Sequence, residues 1–307
     1  MLDLIIPPIV AGLLILSIHA YLGLHVIGRG VLFVDLAFAQ IAALGATFAI
    51  LLGVGHGTGE LLFALGFTLL GALIFSFTRM EESAVPQEAI IGITFVVSSA
   101  GVIMIAGLTA EGAEHLRETM TGTLIWVDWP TIGKMAVAYA MVGAFHFVFR
   151  KRFLTITFAP ETVDSRKLWD FLFYLSFGVV IAFSVEVAGV LMVFSALVIP
   201  GVVAFLFTNR FGTALLIAWA AGAIAVVGGI GASFYWDLAT GPLLVCAFGL
   251  LVVVAAALRG ALGIRPDARI IVRGVTDGGD TAGGAVGDAV GDAVGDVGGS
   301  APSKTSQ

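Results

Sequence analysis

Residues 168–207 read LWDFLFYLSFGVVIAFSVEVAGVLMVFSALVIPGVVAFLF, and away from the ends of this stretch the only charged residue is Glu186. A helix needs about 20 predominantly apolar residues to cross the hydrocarbon core of a bilayer. The stretch is about twice that long. It therefore predicts two consecutive membrane-spanning helices with Glu186 near the point where they join.

Apolar windows of similar length recur along the whole chain. Only 12% of the 307 residues are charged, against roughly 25% in a soluble domain. A transmembrane β-barrel would show segments of about 10 residues with alternating polarity, whereas these runs are continuous. The sequence predicts an all-α, polytopic membrane helical bundle of about nine transmembrane spans, with eight as the alternative count. The windows are 4–27, 31–53, 60–78, 88–107, 131–149, 168–185, 187–207, 212–233 and 238–258.

Lysine and arginine predict the orientation, because short cytoplasmic loops of membrane proteins carry an excess of these residues. With nine spans, all but two of the 15 basic residues fall on one side, and the exceptions are Arg117 and Lys134. We therefore expect a multi-pass protein of the cytoplasmic membrane with its N-terminus outside and its C-terminus in the cytoplasm.

The last part of the chain differs from the rest in composition. Residues 285–296 read AVGDAVGDAVGD, a low-complexity pattern that cannot bury a core. We divide the chain into a transmembrane domain, 1–260, and a cytoplasmic tail, 261–307, that is rich in Gly, Ala and Asp and disordered from about 274. The last 34 residues hold five aspartates and a single basic residue, Lys304, and therefore account for most of the net charge of −6; nothing in the chain indicates nucleic acid binding.

Four polar side chains lie within the first two predicted spans. Counted from the turn at residues 28–30, His19 and Gln40 lie at one depth, and His25 and Asp35 lie at another nearer the turn. Ionisable groups inside a membrane are costly and mark a pathway or a site by default. Imidazole and carboxylate together suit zinc, manganese or iron(II), so His19, His25, Asp35 and Gln40 are candidate metal contacts. The alternative is that Asp35 bonds to a neighbouring helix and the histidines are ordinary polar packing.

A second polar cluster falls in the predicted external segment 108–130, which we expect to be a short amphipathic piece that re-enters before the fifth span. Glu114 and Glu118 are one helical turn apart and flank His115. They would serve as a metal entry point, or they form only the polar face of an amphipathic segment; the second interpretation is favoured.

The sequence contains no GxxxxGK[ST] phosphate loop and no HExxH arrangement. We expect no enzymatic activity and no tightly bound cofactor. If transport is driven by ATP, the ATPase must be a separate subunit.

Several stretches together resemble the permease subunits of the zinc, manganese and iron ABC importers, the ABC-3 type metal permeases. The stretches are VDLAFAQIAALG at 34–45, EAIIGITFVVSSAGVIMI at 88–105, HLRETMTGTLIWVDWPTI at 115–132, FAPETV at 158–163, GVLMVFSALVIPGVVAFLFTNRF at 189–211 and SFYWDLATGPLLV at 233–245. The resemblance covers about residues 10–258 in the family's order. In that family the aspartate usually precedes a histidine by four residues, whereas here Gln40 follows Asp35 by five.

The resemblance implies a half-transporter. Two permease copies would form a homodimer around a path for zinc or manganese, with a cytoplasmic ATP-binding subunit docked on each copy and an external solute-binding protein delivering the ion. Docking would use Pro200, Gly201, Asn209 and Arg210, and Pro200 is expected to end or kink its span. Two alternatives stay open: a permease for a metal chelate or cobalamin-like ligand, and an ion-coupled metal transporter without an ATPase.

Overall fold

The computed structural model describes residues 2–54, 57–78, 85–108, 112–163, 165–264 and 272. Within these ranges the regular structure is helical. The α-helices are α1 Leu2–Arg29, α2 Val34–Leu51, α3 Thr58–Thr78, α4 Gln87–Ala106, α5 Gly112–Thr121, α6 Trp129–Val148, α7 Arg150–Phe158, α8 Arg166–Phe207, α9 Phe211–Trp236 and α10 Thr240–Leu262. Short 3-10 turns occupy Leu124–Trp126 and Pro160–Thr162. The predicted tail, apart from 261–264 and 272, lies outside the described residues.

Eight of the described helices are long and apolar enough to cross a membrane. Helices suit this environment because all of their backbone hydrogen bonds are made within the segment. Local chemistry sets some of the ends. The Asp128 carboxylate accepts a hydrogen bond from the Thr131 amide at 3.0 Å at the start of α6, and α10 ends at Gly263 in the left-handed conformation.

The helix α8 is 42 residues long but is interrupted at Gly189, whose φ of 74° and ψ of 160° are not helical. We call residues 166–188 α8a and residues 190–207 α8b. Asp170 of α8a pairs with Arg29 at the end of α1, yet a Cβ on Gly23 of α1 would meet the backbone of Leu197 in α8b. A straight helix would carry Leu197 roughly 40 Å from Asp170, so α8 turns back on itself.

This reversal gives the chain nine membrane-length segments within the described ranges: seven single helices and the two halves of α8. The predicted two helices in 168–207 are confirmed, with the turn three residues after Glu186. Pro200 does not end its span, because the helix continues through it to Phe207. A proline inside a helix removes one backbone hydrogen bond and favours a kink but need not stop the helix.

The turn at Gly189 is held by the segment that follows α5. Gly122 and Gly189 both have positive φ and touch through their backbones, and the Thr123 amide donates to the Val187 carbonyl at 3.0 Å. A side chain at either glycine would meet main-chain atoms of the other segment. The predicted re-entrant segment is thus a short helix and a 3-10 turn packed across the tip of the α8 hairpin.

The bundle has two distinct ends. We call them the Arg29 end, where α1 finishes, and the Glu60 end, where α3 begins. Among the described residues, all of the lysines and arginines except Arg117 and Lys134 lie at the Arg29 end. The helix α8 occupies the middle of the bundle and packs against α1, α2, α3, α9 and α10.

Candidate functional site

The central position of α8a divides the predicted metal residues into two groups. On one face of α8a, Ser184 bonds to Tyr139 of α6 at 2.5 Å and Ser176 bonds to His146 of α6 at 2.8 Å. The opposite face packs against α2 and α3: a Cβ at Gly178 would touch Phe38, and Ala182 packs with two further alanines.

His19 and His25 therefore lie with α1 and α6, and Asp35 and Gln40 lie with α2 on the other side of α8a. Within the described residues, no three His, Cys, Asp or Glu side chains are grouped closely enough to hold a metal ion. The structure does not bring the four predicted metal residues together in one site.

His19 is fully buried, and its Nδ1 lies 2.8 Å from the Ile15 carbonyl oxygen. A carbonyl oxygen can only accept, so Nδ1 carries the proton and Nε2 carries a lone pair. The Nε2 atom is buried without a hydrogen-bond partner. A backbone carbonyl that fixes the tautomer in this way is the usual support of a metal-binding histidine.

His25 is supported similarly, by a side chain of α7. Its Nδ1 lies 2.8 Å from Thr157 Oγ1, and the Thr157 hydroxyl donates to the Phe153 carbonyl at 2.8 Å. Because the hydroxyl proton is used, Thr157 Oγ1 accepts from His25 Nδ1 and from Arg29 Nε at 3.2 Å. His25 Nε2 is also buried without a partner.

Of the four residues, Asp35 has the least favourable environment for its side chain. Its side chain is 1% exposed, and neither carboxylate oxygen has a hydrogen-bond partner. It lies in the first turn of α2, where the helix dipole favours negative charge by up to about 2 kcal/mol. Burying an unpaired carboxylate costs more than that, so Asp35 is a position where a cation would be stabilising.

Gln40 is buried but does not share the face of Asp35. Five residues along a helix correspond to a rotation of about 140°, so the two side chains diverge around α2. The residues that do share the face of Asp35 are small: Ala42 and Ala46 fall within about 20° of it.

A cavity of 260 Å³ opens at the Glu60 end between α2, α3, α5 and α8a. Ala42 and Ala46 line it, together with three glutamates, Glu60, Glu118 and Glu186. Ala42, Ala64 and Ala182 pack against one another at its wall. Of the predicted entry residues, Glu118 lies on this cavity, whereas the side chains of Glu114 and His115 lie outside the described residues.

Sequence reasoning did not select Glu60 and Glu186 as functional residues. A signal for Glu186 was available, because a charge within an apolar run of 40 residues is costly and therefore informative. No comparable signal marks Glu60, which follows a glycine-rich stretch like many surface acids.

The sequence also gave no indication of a buried polar network at the Arg29 end. Arg29 donates to Asp170 at 2.8 Å, and its guanidinium lies 3.7 Å from the centroid of the Phe173 ring. Nearby, His146 is fully satisfied: its Nε2 donates to Ser176, and its Nδ1 lies 3.3 Å from the Tyr21 hydroxyl. This network ties α1 and α6 to α8a.

The four predicted docking residues are also separated. Pro200 and Gly201 are buried within α8b, where a Cβ on Gly201 would meet Ile27 of α1. Asn209 and Arg210 lie in the break between α8 and α9 at the Arg29 end, and Arg210 is exposed. Only Asn209 and Arg210 are placed where another protein could reach them.

Comparison with known proteins identifies the family. A family model described as the ABC 3 transport family matches residues 1–259. The chain belongs to the ABC 3 transport family. It is a multi-pass membrane protein of the permease type.

Relatives in this family are distant in sequence but similar over most of their length. The chain is 24% identical over 254 residues to the manganese transport system membrane protein MntC of Halalkalibacterium halodurans, covering 80% of this chain and 84% of that protein. It is also 24% identical over 254 residues to a probable iron transport system membrane protein of Haemophilus influenzae, covering 81% and 91%.

Two solved structures share the fold. PsaBC from Streptococcus pneumoniae in complex with Fab aligns with a TM-score of 0.69 at 19% identity, covering 81% of this chain and 89% of that one. An inward-facing conformation of a putative metal-chelate type ABC transporter aligns with a TM-score of 0.60 at 17% identity, covering 84% and 85%. The predicted helical permease architecture is thereby confirmed.

Proposed function

We propose that this chain is the permease subunit of an ATP-driven importer for a divalent transition metal: manganese, zinc or iron(II). The observation that carries the proposal is Asp35, a buried carboxylate with two unpartnered oxygens in the first turn of α2. The named relatives transport manganese or iron, and a carboxylate with imidazole nitrogens suits those metals and zinc.

The proposed route begins in the acidic cavity at the Glu60 end. Its glutamates raise the local concentration of cations through their summed field. The ion then moves along the small-residue face of α2 to Asp35, roughly 10 Å beyond Ala42 at 1.5 Å per residue. The packed alanines Ala42, Ala64 and Ala182 close the floor of the cavity in this conformation, so they must separate for an ion to pass.

The two ends of the bundle indicate where the partner subunits would bind. The basic Arg29 end is the proposed cytoplasmic side, which places Asn209 and Arg210 where an ATP-binding subunit would dock. The Glu60 end would then receive the ion from an external solute-binding protein. A second copy of the chain would complete the transporter as a homodimer.

The test is metal uptake in cells that lack other importers and that express this chain with its ATPase and binding protein. We expect Asp35→Asn to reduce uptake at least tenfold at unchanged membrane abundance, because it removes the charge and keeps the shape. Asp237→Asn is the matched control: Asp237 is an exposed carboxylate at the end of α9 in a conformation that Asn tolerates. Competition among Mn²⁺, Zn²⁺ and Fe²⁺ identifies the ion.

Three results would contradict the proposal. Uptake that is equal in Asp35→Asn and wild type would remove Asp35 from the path. Transport of a cobalamin-like ligand, with no movement of free metal, would favour the chelate permease. Uptake that persists without the ATPase would favour an ion-coupled transporter.

A further inference from the structure

Another cavity among the described residues plays no part in the proposed metal route. It is a crevice of 590 Å³ between α1, α6 and α9. Most of its surface is apolar, with Leu14, Ile18, Ala140, Gly143, Leu215 and Trp219 among the lining residues.

The polar groups on the crevice wall have partners inside the protein. Trp219 donates to the Ser17 carbonyl at 2.9 Å, and the Ser17 hydroxyl donates to the Leu14 carbonyl at 2.7 Å. Tyr139 bonds to Ser184, and Tyr21 contacts His146 at 3.3 Å. The crevice therefore offers apolar surface to an occupant and few open hydrogen-bonding positions.

The end of the crevice near Arg150 is basic instead of apolar. Phe147 and Arg150 line the crevice and also line a second cavity, of 350 Å³, together with Lys151 and Arg152. These three basic residues are consecutive and exposed. In the part of the chain that the structure describes, none of them forms a salt bridge, and the Arg150 guanidinium lies 4.9 Å from the centroid of the Phe147 ring.

An apolar crevice that ends at a cluster of basic residues matches a lipid with an anionic headgroup. Along α6 the crevice extends from Ala136 to Phe147, roughly 16 Å at 1.5 Å per residue. One leaflet of the hydrocarbon core is roughly 15 Å thick. Basic pockets beside transmembrane helices are a recognised setting for anionic lipid headgroups.

We propose that an anionic phospholipid of the leaflet at the Arg29 end binds here. One acyl chain fills the crevice between α1, α6 and α9, and the phosphate lies among Arg150, Lys151 and Arg152. The lipid would brace α6 against α1 and α9, because part of the space between these helices is open in the chain alone.

The proposal is tested by native mass spectrometry of the full chain, delipidated in detergent and then titrated with phosphatidylglycerol or phosphatidylcholine. We expect one tightly retained phosphatidylglycerol per chain and weaker retention of phosphatidylcholine. Replacing Arg150, Lys151 and Arg152 together by Gln should weaken phosphatidylglycerol binding roughly a hundredfold, from about fivefold for each charge. Lys167→Gln is the control for a basic residue at the same end of the bundle.

The crevice is tested separately with Gly143→Leu, which places a side chain into it. A Cβ at Gly143 has no atom within 4 Å, so the substitution fills space without a backbone clash. Gly249→Leu on the exposed side of α10 is the matched control, because Gly249 is equally open. We expect Gly143→Leu to weaken the binding of both lipids and Gly249→Leu to leave the binding of both unchanged.

Equal retention of the two lipids by wild type would overturn the assignment of the headgroup. Identical lipid binding by Gly143→Leu and Gly249→Leu would overturn the assignment of the crevice. A disulfide between two copies through Ala140→Cys, in a Cys246→Ala background and with no lipid bound, would show that a second copy occupies the crevice.

Discussion

Replacing Gly189 by alanine should strongly destabilise the protein, because this glycine forms the turn between the two halves of α8. Its φ of 74° and ψ of 160° fall in a region that is essentially restricted to glycine, and another residue there costs about 1–3 kcal/mol. A Cβ would also lie 2.6 Å from the Thr121 carbonyl carbon and 2.8 Å from the Met120 carbonyl oxygen.

These neighbours are main-chain atoms and cannot rotate away. Relieving the overlap requires the segment after α5 to move off the α8 turn, an overpacking cost of about 1–3 kcal/mol. The movement would also stretch the hydrogen bond from the Thr123 amide to the Val187 carbonyl. The sum is about 4 kcal/mol, a large fraction of the stability of a typical domain.

The assay is the free energy of unfolding in mixed micelles, measured for Gly189→Ala and for Gly249→Ala. Gly249 is helical, and a Cβ there meets nothing within 4 Å, so alanine should be neutral or stabilising by up to about 1 kcal/mol. Equal stabilities, within 1 kcal/mol, would show that the turn is not held as we describe.

Three further predictions concern the cavity, the polar network and α6. Ala182→Leu should abolish uptake without loss of membrane abundance, because a larger side chain wedges the floor of the acidic cavity; normal uptake would exclude this route. Thr157→Val should cost about 3 kcal/mol in unfolding free energy, since it leaves the buried donors of His25 and Arg29 without their acceptor, and a loss below 1 kcal/mol would contradict the network. The pKa of Asp128 is lowered by its hydrogen bonds with Thr131. The Thr131 amide should therefore be protected from hydrogen exchange above the ordinary aspartate pKa and lose that protection as the pH falls through the lowered pKa. Exchange at Thr131 that is unchanged across this range would contradict the cap.

The helical architecture could be predicted from the sequence because it depends on the length and composition of continuous segments of the chain. Apolar runs of span length and the lack of internal charge gave nine segments, and the pair in 168–207 was located to within a few residues. What holds the break could not be predicted, because the contact between Gly122 and Gly189 joins segments more than 60 residues apart. The inside and outside assignment stays a prediction.

The arrangement of the site residues was harder to predict, because the depth of a residue in the membrane does not determine the direction in which its side chain points around the helix axis. Counting residues put His19 level with Gln40 and His25 level with Asp35, but it could not reveal that α8a lies between α1 and α2. Partners of the buried groups were also invisible. The threonine that supports His25 belongs to α7, 132 residues away, and no local pattern connects the two.

The separation of Asp35 from both histidines bears on what kind of metal contact this chain can make. A closed site for manganese, zinc or iron would gather several carboxylate and imidazole ligands around one ion, and the described residues contain no group of three. Conduction requires binding that is strong enough for an ion to enter and weak enough for it to leave. One buried carboxylate at the first turn of α2, completed by water, backbone oxygens or a second copy, meets that requirement better than a full ligand set would. The histidines, each with Nδ1 fixed and Nε2 free, would then act as separate contacts on the other face of α8a.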